Sequence, residues 1–375
     1  RWAAGLGLAY EISLSSLRGK KILIVDRDAK NRNDRTWCFW SDTPTRYDHL
    51  VYRSWDRIEV VNHDFHKTFD LRPYQYRMIR GIDYYKELRE SLSNIPNISI
   101  IQARVSEVGE TNDKSMAMVV IDKEPHQAHW AFDSIFTPTE YASGPSRYHY
   151  LRQHFKGWEI ETPDDCFDPH TVTLFDFRTP QKGCMCFFYI LPFTKRRALV
   201  EYTLFSASLL KGHEYDRAIS DYLEKVRGIK NYRIDNTEMG IIPMTDRPFP
   251  RRPYPHVMNI GTKGGLVKSS SGYAFLRIQK DVQAIVDSLT NFGNPFQVPS
   301  TPFRYRLFDS LMLHVMHHNG NRMAEIFTRM FKENSVIEIF RFLDEKASLT
   351  DNFRLISTLP RQPFINALLR YPFKK

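Results

Sequence analysis

The sequence is poor in cysteine and has no long apolar run. Its four cysteines are too few and too irregularly spaced for a disulfide framework; they are Cys38, Cys166, Cys184 and Cys186. The single Cys-x-Cys pair lacks the second pair that would complete a zinc site, so we expect no metal and a reducing, cytosolic environment. The longest apolar stretch, residues 187–193, is far shorter than the roughly 18 to 20 residues that span a bilayer, which excludes a spanning helix.

The composition is that of a folded protein with a basic surface. Hydrophobic residues make up 42% and charged residues 26% of the 375 positions, near globular averages, which excludes a wholly disordered or collagen-like chain. The formal charge of +10 favours a polyanionic partner, either nucleic acid or an anionic membrane face. Aromatic residues reach 14%, which suits an apolar ligand or a bilayer surface as well as a Phe-rich core.

A glycine-rich helix start and a buried strand open the chain. Residues 3–9 contain two glycines, and the apolar residues 21–25 lead to Asp26. A strand that ends in an acid about 20 residues after such a helix start is the second half of a dinucleotide-binding βαβ unit. Gly5 would let the backbone approach a pyrophosphate, and the Asp26 carboxylate would accept from ribose hydroxyls. The alternative is an ordinary helix packed on an edge strand.

The first strand of that unit is missing from the sequence. Trp2 stands where the fingerprint has its second glycine, and a bulky side chain there would obstruct the phosphate. We therefore expect either a different natural N-terminus or impaired cofactor binding.

The remaining patterns predict an α/β protein with three parts. Strand patterns at residues 172–178, 186–192 and 198–204 form a sheet platform, and residues 214–226 form an amphipathic cover helix. A second glycine-rich loop at residues 260–265 precedes another helix. We predict a discontinuous cofactor-binding domain, a β-sheet substrate domain and a helical region, over residues 1–145 with 235–300, 146–234 and 301–375 respectively.

Several blocks in this order resemble the lycopene cyclases, specifically the bacterial lycopene beta-cyclase type, over nearly the whole chain. The strongest are Asp-Arg-Thr-Trp-Cys-Phe-Trp at 34–40, Gly-Trp-Glu-Ile-Glu-Thr at 157–162, Phe-Tyr-Ile-Leu-Pro at 188–192, Leu-Val-Glu-Tyr-Thr at 199–203, Ile-Gly-Thr at 260–262, Gly-Gly at 264–265 and Ser-Gly-Tyr at 271–273.

The resemblance implies an FAD-binding Rossmann-like flavoprotein of the hydroxylase-like type, with an inserted β-sheet domain. Such enzymes turn the linear ends of lycopene into β-ionone rings with reduced FAD, which NAD(P)H supplies with electrons, and no net electrons move. By the same resemblance, the second FAD contact is made by a glycine set, Gly261, Gly264, Gly265 and Gly272. Lys263 and Lys268 depart from the smaller residues expected there, and would either add charge to a phosphate contact or crowd the loop.

Ring closure begins with protonation of an alkene, which requires a positioned acid in a dry pocket. Strand alternation puts Glu201 on one face with Leu199, Thr203 and Phe205, so burial would let it keep its proton at neutral pH. Glu201 is therefore the predicted catalytic acid. The alternative is a glutamate on the wet face of an edge strand.

Two further acids are candidates for the reaction. Glu159 shares a strand face with Glu161, and like charges raise one member's pKa, so either is a possible second acid or both are solvated. Asp176 stands between two phenylalanines and would either hydrogen-bond near the flavin or pair with an arginine.

A carotenoid substrate lies in a bilayer, so we expect peripheral attachment to the inner face of the cell membrane. The candidate surface alternates aromatic and aliphatic with basic residues, namely Phe331, Phe340, Phe342, Phe353, Phe364, Leu368 and Leu369 with Arg329, Lys332, Arg341, Arg354, Arg361, Arg370, Lys374 and Lys375. A helical subdomain packed on the core is the alternative. We expect no nucleic-acid partner, because no binding motif is present.

Two other functions fit the same pattern. One is a flavoprotein monooxygenase or a prenyl or carotenoid reductase of the same architecture. The other is a carotenoid-binding protein that has lost catalysis.

Overall fold

The computed structural model describes residues 2–138 and 147–371. The helices in these ranges are α1 Trp2–Ser13, α2 Gly81–Ser93, α3 Gly212–Lys225, α4 Phe275–Phe292, α5 Phe303–His318, α6 Met323–Glu333, α7 Val336–Leu343, α8 Leu349–Thr358 and α9 Arg361–Arg370. The strands are β1 Ile22–Asp26, β2 Thr36–Ser41, β3 Val51–Trp55, β4 Arg57–Asn62, β5 Phe65–Asp70, β6 Gln75–Arg80, β7 Ile98–Gln102, β8 Val105–Glu110, β9 Ala117–Ile121, β10 Glu124–Ala128, β11 Ala131–Asp133, β12 Tyr150–Glu161, β13 Thr171–Asp176, β14 Met185–Pro192, β15 Arg197–Ser206, β16 Arg233–Thr245 and β17 Val257–Asn259.

A seven-stranded sheet in the order β16-β12-β15-β14-β13-β4-β5 forms the centre of the structure. Its pairs are antiparallel except that of β13 with β4. The three strands predicted from the sequence lie side by side as β13, β14 and β15. They are rich in β-branched and aromatic residues, which suit a pleated surface buried on both faces.

The two faces of this sheet pack against different helices. Under α3, one face buries Val200, Tyr202 and Leu204 of β15, and the ring of Phe188 stacks on Tyr222 with centroids 3.7 Å apart. The opposite face joins a core formed with the C-terminal helices α5 to α9. Period-two alternation along the strands therefore separates a cover-helix side from a side that faces the helical region.

Two short parallel pairs, β1 with β7 and β11 with β17, accompany α1, α2 and α4. One side of α1 packs on α2 and the start of α4, and the other packs on the rest of α4. Gly7 permits this contact, because a Cβ there would lie 2.8 Å from the Tyr84 hydroxyl. The predicted mixed α/β class is confirmed.

The strand pairing differs from the predicted domain division in two places. Both β4 and β5, which the sequence places with the cofactor-binding part, hydrogen-bond into the seven-stranded sheet, and so does β16, which the predicted boundary at residue 235 cuts. Backbone pairing between distant segments decides this membership, and no local pattern encodes it. The predicted boundary at residues 145 and 146 lies outside the described residues.

The helical region begins at Phe303, close to the predicted residue 301. Across residues 2–138 and 147–371, no helix has the length and apolar character needed to cross a bilayer.

Candidate active site

Glu201 lies in the middle of β15, between Gly157 of β12 and Tyr189 of β14. Its side chain is 7% exposed and lines a cavity of about 1280 Å³. Leu199, Thr203 and Phe205 line the same cavity, as the alternation predicts. The alternative of a wet edge strand does not apply, because β15 is an interior strand of the sheet.

A second carboxyl group, that of Glu238 on β16, meets Glu201 in this cavity. Strand β12 lies between them, and Gly157 is opposite both glutamates. Strands two positions apart are separated by about 10 Å, so the side chains must reach across the middle strand. Gly157 leaves that path open, since a Cβ there would lie 3.3 Å from Cγ of Glu238 and 3.6 Å from Cβ of Glu201. The two carboxyl groups are therefore close enough for the charge of Glu238 to act on Glu201.

The surroundings favour the protonated form of this carboxyl pair. Burial raises the pKa of Glu201, and the negative charge of Glu238 raises it further. The Thr203 hydroxyl donates to Glu201 Oε1 at 2.5 Å and opposes that shift only in part. Burial likewise raises the pKa of Glu238, which accepts from the Thr36 hydroxyl at 2.7 Å. A buried carboxyl group beside a second, half-buried one retains a proton that an exposed glutamate would lose.

Neutral aromatic side chains form the wall beside the carboxyl pair. Tyr189 donates to the Tyr76 hydroxyl at 2.8 Å, and the hydroxyls of Tyr76 and Tyr273 lie 2.9 Å apart. Burial raises the pKa of all three phenols above their usual value, so they stay uncharged. Trp40 meets Tyr273 edge-on, with centroids 4.5 Å apart. These four rings line the cavity. Aromatic rings attract a cation placed over their faces.

Glu159 lies on β12 outside the large cavity. Its Oε1 atom pairs with Arg197 Nη2 at 2.5 Å, and it lines a smaller cavity of about 270 Å³ that also contacts Glu238. Its neighbour Glu161 pairs with Arg233 at 2.6 Å near the surface. Glu159 thus acts on the site through its charge, which raises the pKa of Glu238.

Asp176 is fully buried on the opposite face of the sheet, beneath α3. Although burial acts to raise its pKa, hydrogen bonds from Arg178 and Tyr222 hold that pKa below its usual value. Arg178 Nη2 and the Tyr222 hydroxyl each lie 2.6 Å from Oδ2. Of the two alternatives for Asp176, the structure shows the pair with an arginine. An irregularity in β13 between Thr173 and Asp176 shifts the strand register, so that Phe175 lines the cavity and the Asp176 carboxylate lies on the other face. Asp176 is therefore not in a position to act on a substrate in the cavity.

The predicted cofactor residues divide into two groups. Gly261 and Gly272 line the large cavity together with Ala3 and Ala4 at the start of α1. The others do not line it; they are Gly5 in α1, Asp26 at the end of β1, and Gly264 and Gly265 in the loop after Gly261.

Two lysines in this loop region carry ion pairs. Lys263 pairs with Asp133, and buried Lys268 lies 3.0 Å from both Asp309 and Glu345. Their charges are therefore balanced by carboxylates of the same chain. The Trp2 side chain, predicted to obstruct the phosphate, lies outside what the structure describes.

Glu238 is the site residue that the sequence patterns missed. The signal available in the sequence is weak: an acid in a strand pattern that ends in the apolar residues 241–244. Its pairing with Glu201 depends on strand order, which brings residues 37 positions apart along the chain to either side of one glycine.

The lycopene cyclase family model, described as "Lycopene cyclase protein", matches residues 2–369. The chain belongs to the lycopene cyclase family. No curated protein matches its sequence.

Solved structures share the fold at low sequence identity. A geranylgeranyl bacteriochlorophyll reductase-like protein from Thermoplasma acidophilum has a TM-score of 0.58 and 10% identity, over 98% of this chain and 95% of that one. A triple mutant of the flavin-dependent brominase Bmp2 has a TM-score of 0.61 and 14% identity, over 99% and 97%. A Klebsiella pneumoniae HpxO variant complexed with FAD has a TM-score of 0.62 and 12% identity, over 92% and 96%. The family member described here therefore has the hydroxylase-like flavoprotein fold.

The protonated carboxyl pair predicts a pH-dependent stability. A group whose pKa is raised on folding binds more protons in the native state, so stability falls as the pH rises above the unfolded value of about 4.3. In urea unfolding between pH 4 and 9, the free energy of unfolding of Glu201→Gln should fall less steeply with rising pH than that of the parent, by up to about 1.4 kcal/mol per pH unit. Glu107→Gln, an exposed control on β8, should leave the slope unchanged. If the free energy of unfolding falls equally steeply with pH in the parent and in Glu201→Gln, Glu201 does not hold a proton in the folded protein.

The ion pair of Asp176 predicts a structural role. Asp176→Ala should lower the free energy of unfolding by about 3 kcal/mol, because Arg178 and Tyr222 lose the buried carboxylate that accepts their hydrogen bonds. Tyr222→Phe removes one hydrogen bond and should cost about 1 kcal/mol. Urea unfolding measures both, and an Asp176→Ala variant as stable as the parent would refute the assignment.

Proposed function

We propose that the protein is a lycopene beta-cyclase, with Glu201 as the acid that starts ring closure. The observation that carries the proposal is a buried carboxyl group on the wall of a large cavity that aromatic rings also line. Burial raises the pKa of Glu201 to about 8, which favours a proton on this group at neutral pH. Membership of the lycopene cyclase family supports the substrate class. The reaction is an isomerisation, so it needs a proton donor and a place for a cation.

Glu201 transfers its proton to a terminal double bond of the substrate, which creates a tertiary carbocation. The next double bond attacks that cation and a carbon–carbon bond closes the six-membered ring. A neighbouring carbon then gives up a proton to one of the two carboxylates, Glu201 or Glu238, so that the carboxyl pair regains the proton it donated. The rings of Tyr76, Tyr189 and Trp40 stabilise the positive charge. The Thr203 hydroxyl, which donates to Glu201 Oε1, stabilises the charge left on Glu201.

Unsatisfied polar atoms in the cavity fit a flavin. Gln153 Oε1 and Ser271 Oγ are buried and find no hydrogen-bond partner among the described residues, and both residues line the cavity. Gly272 follows Ser271, and its backbone is in the left-handed region, with φ of 76°. A Cβ atom on this residue would lie 1.9 Å from Gln153 Oε1. A side chain at this position would fill the space that a ring system needs.

These residues would hold reduced FAD, together with the N–H groups at the start of α1 and Gly261. When bound, the reduced flavin, with NAD(P)H as its electron source, supplies negative charge near the developing cation without net electron transfer. Gln153 and Ser271 orient the bound group, while Glu201 holds the proton.

The cavity reaches the surface among apolar residues of α8 and α9. Phe353, Ile365 and Leu368 line the cavity and are also exposed, at 64%, 47% and 50%. Exposed arginines lie beside them, namely Arg354, Arg361 and Arg370. This combination suits attachment to an anionic membrane surface from which a polyene end enters. Other members of the predicted surface differ, since Phe331 and Phe340 are core residues and Phe342 and Phe364 pack against that core.

The catalytic role is tested in cells that accumulate lycopene. The parent should make β-carotene, and Glu201→Gln should lower its formation by about 100-fold or more, because general acid catalysis contributes that much. Glu161→Gln, which alters a surface ion pair on the same sheet, should retain activity.

Chromatography with mass spectrometry identifies the product. Unchanged mass marks cyclisation, an added oxygen a monooxygenase, and added hydrogens a reductase. Bound but unconverted carotenoid in the parent would indicate a binding protein instead. A Glu201→Gln variant that makes β-carotene at the parent rate would remove Glu201 from the mechanism.

Membrane attachment is tested with vesicles. The double variant Phe353→Ser with Leu368→Ser should bind anionic vesicles at least tenfold less tightly, since each apolar side chain contributes about 1.5 kcal/mol or more when buried. Cosedimentation measures this, with Phe292→Ser as the control because Phe292 is 63% exposed and does not line the cavity. Equal binding by all three proteins would show that the cavity mouth does not face the membrane.

A further inference from the structure

A group of histidines lies where the chain entering β12, the chain leaving β16 and the last turns of α5 meet. It consists of His149, His314 and His318, and each offers a ring nitrogen within 4.8 Å of the other two. We call it the three-histidine site. None of its members lines the large cavity, so the proposed cyclisation makes no use of it.

We propose that the three-histidine site binds a divalent transition metal of the zinc class, with the three imidazoles as its ligands. Imidazole nitrogens bind zinc at about 2.0–2.1 Å, so two of them in a tetrahedral site lie about 3.3 Å apart. His149 Nε2 and His314 Nδ1 are already 3.1 Å apart. His314 and His318 are four residues apart on α5, which puts both on one face of the helix.

The site needs only a small adjustment to close around an ion. His314 is buried, whereas His318 is exposed at the C-terminal end of α5, where its ring can rotate. The ring centroids of these two residues are 4.3 Å apart. Three protein ligands leave the fourth position of a tetrahedral ion to water.

An outer carboxylate orients the first ligand. Asp246 Oδ2 lies 2.9 Å from His149 Nδ1 and also accepts from the Ser310 hydroxyl at 2.6 Å. The other oxygen, Oδ1, accepts from the His149 backbone N–H at 2.7 Å. A carboxylate can only accept, so Nδ1 of neutral His149 carries the proton and the Nε2 lone pair points toward the cluster. Carboxylate–histidine–metal triads are built in this way.

The bound ion would tie the helical region to the sheet. His149 precedes β12, Asp246 follows β16, and the other two ligands belong to α5. Cysteine spacing predicted no metal, and it carries no information on this site, because His149 and His314 are 165 residues apart.

Titration of the untagged, EDTA-dialysed protein with ZnCl₂ tests the proposal. We expect one zinc per chain by atomic emission after gel filtration, binding in competition with a chromophoric chelator, and a higher melting temperature with zinc than with EDTA. Co²⁺ should give the visible absorption of a four-coordinate nitrogen site.

Variants assign the binding to these residues. His318→Ala and His314→Ala should each weaken zinc binding at least tenfold, and the exposed position of His318 lets that variant fold even if His314→Ala does not. His213→Ala, an exposed histidine on α3, should bind as the parent does. Substoichiometric zinc in the parent, or equal affinity in His318→Ala and the parent, would overturn the proposal.

Discussion

The proposed reaction depends on a proton held by Glu201, whose carboxyl group faces that of Glu238 across Gly157. Burial alone raises the pKa of a carboxyl group, and a second carboxyl beside it makes complete ionisation costlier still. The glycine on the middle strand is what brings the two groups together, because any side chain there would occupy the path between them. Gly157 thus lets a second carboxyl group add to the effect of burial on the pKa of the proposed acid.

The fold supplies the dry environment that this proton requires. The seven-stranded sheet carries the acid on the face that packs toward the C-terminal helices, and α3 seals the other face. The solved structures with this fold include a flavin-dependent brominase and an FAD complex, whereas the proposed reaction moves no net electrons. In this chain the cavity wall carries an acid and aromatic rings, which suit the proposed isomerisation.

Local periodicity predicted much of this arrangement from the sequence. Alternation along β15 assigned Glu201, Leu199 and Phe205 to one face, and the family resemblance identified the chain's class correctly. The order of the strands in the sheet could not be predicted from the sequence. We therefore did not predict that β4, β5 and β16 join the large sheet, or that Glu238 approaches Glu201. Such pairings depend on contacts between distant segments.

The same limit applies to side chains whose partners are remote in sequence. The sequence shows that Asp176 stands between two phenylalanines, but it does not identify the groups that contact its side chain. In the structure these groups are Arg178 and Tyr222. The alternation of Phe and Arg near the C-terminus suggested one surface, yet helix packing buries Phe331 and Phe340 and leaves Phe353 exposed. The spacing of residues along a helix shows which of them share a face, but it does not show which face packs against the rest of the protein.

Infrared spectroscopy of the carboxyl groups tests the central claim most directly. At neutral pH, the difference spectrum between the parent and Glu201→Gln should contain the carbonyl stretch of a protonated carboxylic acid, and this band should shift in heavy water. A difference spectrum that contains only carboxylate bands would show that Glu201 is ionised, and an ionised Glu201 has no proton to give to the substrate.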